Sequence, residues 1–157
     1  MGGNRSTRSA KQLPTKEMFF TFASLGGGAT LTFVGGFAGV LIDADDEAAY
    51  ISLFVPHDFR ALKSLKLLVI PIAANAAMTL RSICNFAHNE EVYNTHEKTV
   101  DDSFIAGTNV LHEIDVTDLL DTLVVPLDNN DYVGIKVTRI AGQNTNALIV
   151  GVKLRYN

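Results

Sequence analysis

Carboxylates crowd one short stretch of this 157-residue chain, where Asp43, Asp45, Asp46 and Glu47 follow one another almost without interruption. Oxygen donors at that density suit Ca²⁺, which takes about six to eight of them, and Asp101 with Asp102 or Asp128 with Asp131 could add more from elsewhere in the fold. The pattern is not that of an EF-hand loop, because no central glycine and closing bidentate glutamate stand at the right distances. A solvated acidic turn is the plainer account, so Asp43, Asp45 and Glu47 are carried forward as a candidate Ca²⁺ set beside that account, and no other cofactor is expected. A second group, His88 and His96 with Glu90, Glu91 and Glu97, offers two imidazoles and a carboxylate, the donors of a transition-metal site. The histidines are eight apart rather than the four that would share a helix face, and a solvated polar loop is the simpler reading. His57 and His112 read as structural.

Nothing in the chain points to an enzyme. It has no Gly-x-Ser-x-Gly elbow, no phosphate-cradling Gly-x-x-x-x-Gly-Lys and no dinucleotide fingerprint opening a helix. The single cysteine, Cys84, lies in a strand-like stretch, where burial raises a thiol's pKa and leaves it inert. Charge is distributed unevenly. Arg5, Arg8, Lys11 and Lys16 against Glu17 give residues 1–17 a net of +3, while the rest of the chain holds 9 basic and 16 acidic residues, a net of −7. Such an arm is expected to contact the acidic body of a neighbouring copy, with nucleic acid as the alternative, although four cations without an aromatic are sparse for that role.

The elements that must position these groups are strands. Apolar residues alternate through 131–156, with Val133, Ile135 and Val137 and then Leu148, Val150, Val152, Leu154 and Tyr156 on one parity, which predicts a β-hairpin across the turn at 141–146. Residues 18–42 carry no charge and superficially resemble a signal peptide or a membrane span, but six glycines there argue for short strands and turns, and no membrane span is expected. Further strands are predicted at 49–55, 62–72, 78–86 and 110–116, a long polar loop at 87–102, and one helical turn at 119–123 capped by Thr117 or Asp118. The organisation predicted is a basic arm, 1–17, and one domain, 18–157: an all-β, jelly-roll-like antiparallel β-sandwich of about eight strands. A fibronectin-like or galactose-binding-like sandwich is the alternative.

Several pieces together, Phe54-Val55-Pro56 with Asp58-Phe59, Glu113-Ile114-Asp115-Val116, Asp131-Tyr132-Val133-Gly134 and the closing strand 148–156, resemble small jelly-roll virion proteins of bacterial and archaeal viruses. That resemblance covers residues 50–157. It implies a structural subunit of a symmetric assembly, a capsid, decoration or fibre protein, whose partners are copies of itself and other virion proteins and whose place is the virion or the extracellular space. The stretch Asp115-Val116-Thr117-Asp118-Leu119-Leu120 equally resembles carbohydrate-binding sandwich domains. A glycan-binding module, or a non-viral extracellular filament subunit, is therefore the alternative function. Sugar sites use exposed aromatics, and with no Trp and four Tyr the sequence offers Tyr93 as the one loop candidate.

Overall fold

The strand that ends the chain organises one half of the molecule and the strand before it organises the other. In the computed structural model, which describes residues 13–22, 24–121, 127–140 and 146–157, there are eleven strands and one short helix. In chain order these are β1 Lys16–Thr21, β2 Ser24–Gly26, β3 Thr30–Val34, β4 Phe37–Ile42, β5 Ala48–Phe54 and β6 Leu62–Pro71. There follow β7 Asn75–Ala87, β8 His96–Ala106, β9 His112–Asp115, α1 Asp118–Asp121, β10 Tyr132–Arg139 and β11 Ala147–Tyr156. Among the described residues no helix is long and apolar enough to cross a membrane.

All pairings are antiparallel and form two sheets. One runs β3-β4-β11-β6-β9, with β1 also on β11; the other runs β2-β5-β10-β7-β8. The all-β sandwich expected from the alternation is present, with eleven strands rather than about eight among the described residues. The predicted hairpin is not. Strand β10 pairs with β5 and β7, whereas β11 pairs with β4, β6 and β1, so the two lie in different sheets. Each has one apolar face to bury, and facing each other across the core satisfies that demand as well as pairing side by side. The turn predicted at 141–146 lies, up to residue 145, outside the described residues.

Strand β11 is a seam. Its first residues, Ala147 to Ile149, pair with β4, and on the same edge Gly151 to Tyr156 pair with β1. Opposite, β6 runs the whole length, with a register shift between Ile149 and Gly151 that leaves Val150 as an extra residue. A bulge inverts the parity of everything beyond it. Ile149, Val152, Leu154 and Tyr156 therefore all face the main core, while Leu148 and Val150 join Ile70 in a separate cluster with Val34, Leu68 and Ile72 on the other side of the sheet. The unbroken alternation read from the sequence put Leu148 and Val150 in the core, and the bulge removes them. At Gly151 a Cβ would lie 2.4 Å from the Phe20 carbonyl oxygen and 2.6 Å from the Phe19 ring, so glycine is what lets β1 approach.

Two boundaries also move. Lys16 and Glu17, read by charge as the end of the arm, are the first residues of β1 and pair with Tyr156 and Arg155; Arg5, Arg8 and Lys11 lie outside the described residues. The polar stretch expected as a loop to residue 102 becomes β8 at His96, because this edge strand turns His96, Lys98 and Asp102 toward the half-buried side and so shows no apolar period. The predicted helical turn is α1, whose Leu119 and Leu120 are buried. Asp115 Oδ1 accepts the Thr117 N–H at 3.1 Å, and Thr117 Oγ1 accepts the Leu65 N–H at 3.0 Å; the part of that prediction beyond Asp121 lies outside the described residues.

Candidate functional site

Alternation along β5, β7 and β10 sends one set of side chains into the core and the other onto an open sheet face. Register then decides which outward residues sit side by side. Tyr132 lies between Phe54 and Ala87, and Gly134 between Ser52 and Asn85. The pairing is extended past the strand ends, where Val55 N–H donates to the Asp131 carbonyl at 2.9 Å and Asn130 N–H to the Val55 carbonyl at 3.1 Å. These bonds hold Phe54 and Tyr132 together, with ring centroids 5.3 Å apart and planes at 54°.

Tyr93, from the loop between β7 and β8, joins this face and completes a groove of about 480 Å³ lined by Ser52, Phe54, Asn85, Tyr93, Tyr132 and Gly134. Its aromatic walls are open to solvent: Tyr93 is 74 %, Tyr132 60 % and Phe54 42 % exposed. The floor is bare at Gly134, where a Cβ would meet nothing nearer than the Asn85 carbonyl oxygen at 3.9 Å. Beside it the side-chain oxygen of Asn85 is buried and has no hydrogen-bond partner. No lining residue is charged. The far end of the same face is ionic instead, with Arg81 paired to Asp101 at 2.7 Å, and Arg139 Nη2 to Asp45 at 2.9 Å.

Two members of the acidic set read from the sequence, Glu47 and Asp45, have partners within the chain. Glu47 is buried and its Oε2 accepts the backbone N–H groups of Asp43 at 2.5 Å and Ala44 at 3.0 Å, closing the turn between β4 and β5. Asp45 faces Arg139. Asp131 lies far from that turn in sequence and is 2 % exposed; its Oδ2 accepts the Asp128 N–H at 2.7 Å and its Oδ1 meets His88 Nδ1. Of the arm, Lys16 is described, and its ammonium pairs with Asp58 of the same chain. Cys84 is buried, and burial pushes its thiol up to about 12.

The histidine group does assemble. Among the described residues, His88, Glu91 and His96 form a group whose ligand atoms all lie within 4.8 Å of one another. A separation of eight suffices because β7 and β8 form a hairpin, pairing Phe86 with His96, so His88 and His96 stand at the base of its loop. His96 stacks on Phe86 with centroids 4.4 Å apart, and its Nε2 is 3.2 Å from Glu91 Oε2. The same carboxylate accepts the His88 backbone N–H at 3.0 Å, which holds Glu91 below the usual carboxylate range. The Asp131 bond in turn raises the pKa of His88.

The groove was missed at the sequence level except for Tyr93. Phe54 with Ser52, and Tyr132 with Gly134, carry the outward parity of their strands, but nothing local says that β5 and β10 are neighbours.

The fold so defined is a two-sheet antiparallel β-sandwich. No protein-family model matches the chain, and no curated protein sequence does. Among solved structures it is similar to the CBM36-1 domain of a multidomain xylanase from the hindgut metagenome of Trinervitermes trinervoides, with a TM-score of 0.53 and 15% identity over 88% of this chain and 96% of that one. It is also similar to part of Arthrobacter globiformis T6 isomalto-dextranase, solved with panose, at TM-score 0.58 and 18% identity over 89% of this chain. An exo-β-1,3-galactanase of Phanerochaete chrysosporium, solved with β-1,3-galactotriose, matches at TM-score 0.50 and 14% identity over 89% of this chain. The chain spans 23% and 29% of those last two proteins. At such identities the likeness is one of fold.

Proposed function

We propose that this chain is a carbohydrate-binding β-sandwich that holds a neutral glycan in the groove between Tyr93 and the Phe54–Tyr132 pair. The observation that carries the reading is the open groove walled by the three solvent-exposed rings of Tyr93, Tyr132 and Phe54, with Ser52 and Asn85 among its lining residues. Pyranose rings present apolar C–H faces and a rim of hydroxyls. Exposed aromatic rings match the former, and the polar lining residues Ser52 and Asn85 match the latter. The absence of charge among the lining residues favours a neutral sugar over a uronate or a phosphate. The shared fold with a carbohydrate-binding module and with carbohydrate-active enzymes supports this reading over the virion subunit expected above.

Titration calorimetry against a panel of neutral oligosaccharides tests it. Tyr132→Ala is expected to weaken binding roughly tenfold, about 1.4 kcal/mol, with little change in melting temperature, since Tyr132 is exposed, and Asn85→Ala to weaken binding by a similar factor. Binding by neither the wild type nor any variant, or equal binding by all of them, overturns the proposal.

One observation favours the second reading, a structural subunit. Leu31 and Phe33 on β3 are 63 % and 74 % exposed, apolar surface that a neighbouring copy would cover.

A further inference from the structure

The loop between β7 and β8 holds a second constellation, separate in chemistry from the aromatic groove. We propose that His88, Glu91 and His96 bind a divalent transition metal, best fitted by Zn²⁺, with Asp131 as the group that orients His88. Three features carry this. The donor set is two imidazoles and one carboxylate, which suits Zn²⁺ and its neighbours; Ca²⁺ seeks about six to eight oxygens and finds one carboxylate here. One ligand atom from each of the three residues already lies within 4.8 Å of the others, and a tetrahedral ion with bonds of about 2.0–2.1 Å sets its ligands roughly 3.4 Å apart.

The third feature is the support behind the ligands. His88 Nδ1 is taken by the buried Asp131, so the nitrogen it has left to offer is Nε2. A carboxylate fixed behind a histidine in this way sets the tautomer and ring orientation that a metal requires. Asp131 is itself held by the Asp128 N–H, and His96 is held flat against Phe86. The loop between the ligands is folded on itself, with Thr95 N–H and Oγ1 bonding the Val92 carbonyl at 2.9 and 2.8 Å and Glu91 N–H bonding the His88 carbonyl at 3.2 Å. Three protein ligands leave a fourth position for water or an outside group.

The full-length chain, stripped of metal, is titrated with Zn²⁺ by calorimetry in a non-coordinating buffer, with melting temperature followed in parallel. Uptake of one ion per chain and a rise in melting temperature are expected. His96→Ala and Glu91→Gln should each weaken uptake by at least about tenfold, and Asp131→Asn by roughly 10- to 100-fold. His57→Ala should leave it unchanged. Glu91 is exposed, so Glu91→Gln keeps the test open should a histidine or Asp131 variant fail to fold. No stoichiometric uptake by the wild type, or uptake indifferent to both Glu91→Gln and His96→Ala, overturns the assignment.

Discussion

Cys84 points from β7 into the core, where it is 1 % exposed. With the thiol pushed up to about 12, almost none of it is thiolate near neutrality, and the thiolate is the reactive form. A maleimide at pH 8 is therefore expected to label the native protein only as fast as the sandwich opens, and the denatured protein at once. Mass spectrometry of timed samples reads this directly, and prompt native labelling would contradict the burial. Cys84 was legible from the sequence as an inert thiol because a lone cysteine in an apolar alternation has few other readings. Asp131 was not. A carboxylate in an Asp-Asn-Asn-Asp turn looks solvated, and the side chain it bonds is His88, 43 positions away.

At the scale of elements, β1 depends on a contact outside its own ladder. Lys16 donates to Asp58, whose other oxygen accepts the Tyr156 hydroxyl at 3.3 Å, so one carboxylate ties the start of β1 to the end of β11. The Lys16 bond lowers the Asp58 pKa from its ordinary 3.8, and the same bond raises Lys16 above 10.5. A depressed carboxylate contributes stability above its unfolded pKa and loses it as pH falls through the folded value; a raised lysine contributes below its unfolded pKa and loses it as pH climbs through the folded one. The contact therefore supports β1 across the neutral range and fails in acid and in strong base. The gap in melting temperature between the wild type and Lys16→Met is expected to be present at pH 7 and to close below about pH 3.8. A gap of the same size at pH 7 and pH 3 would show that packing of the lysine stem matters and the ion pair does not.

Strand existence was largely readable, because β5, β6, β7, β10 and β11 each carry an apolar period of two on at least part of their length. Three things were not. The half-buried face of β8 mixes His96, Lys98 and Asp102 with Val100 and Phe104 and so hides its period, Val150 inverts the parity of β11, and the adjacency of β5 with β10 is set by contacts more than 70 residues apart in sequence. The groove depends on the last of these, which is why its walls were invisible while the histidine group, closed by a single hairpin, was at least nameable.

For the whole molecule, the two functional readings differ in mass. Light scattering on a sizing column is expected to return 17.0 kDa for a carbohydrate-binding monomer. A multiple of that mass, reduced by Phe33→Ser, would favour the subunit reading instead. The sandwich carries two candidate sites that share one loop. Tyr93 belongs to the aromatic groove, while the residues two before and three after it, Glu91 and His96, belong to the proposed metal group. Ordering that loop once serves both occupants. Linkage then makes the traffic reciprocal: whatever factor the ion adds to the hold on sugar, sugar must add to the hold on the ion. A chelator in the buffer would accordingly register as a loss of affinity for a ligand it never touches.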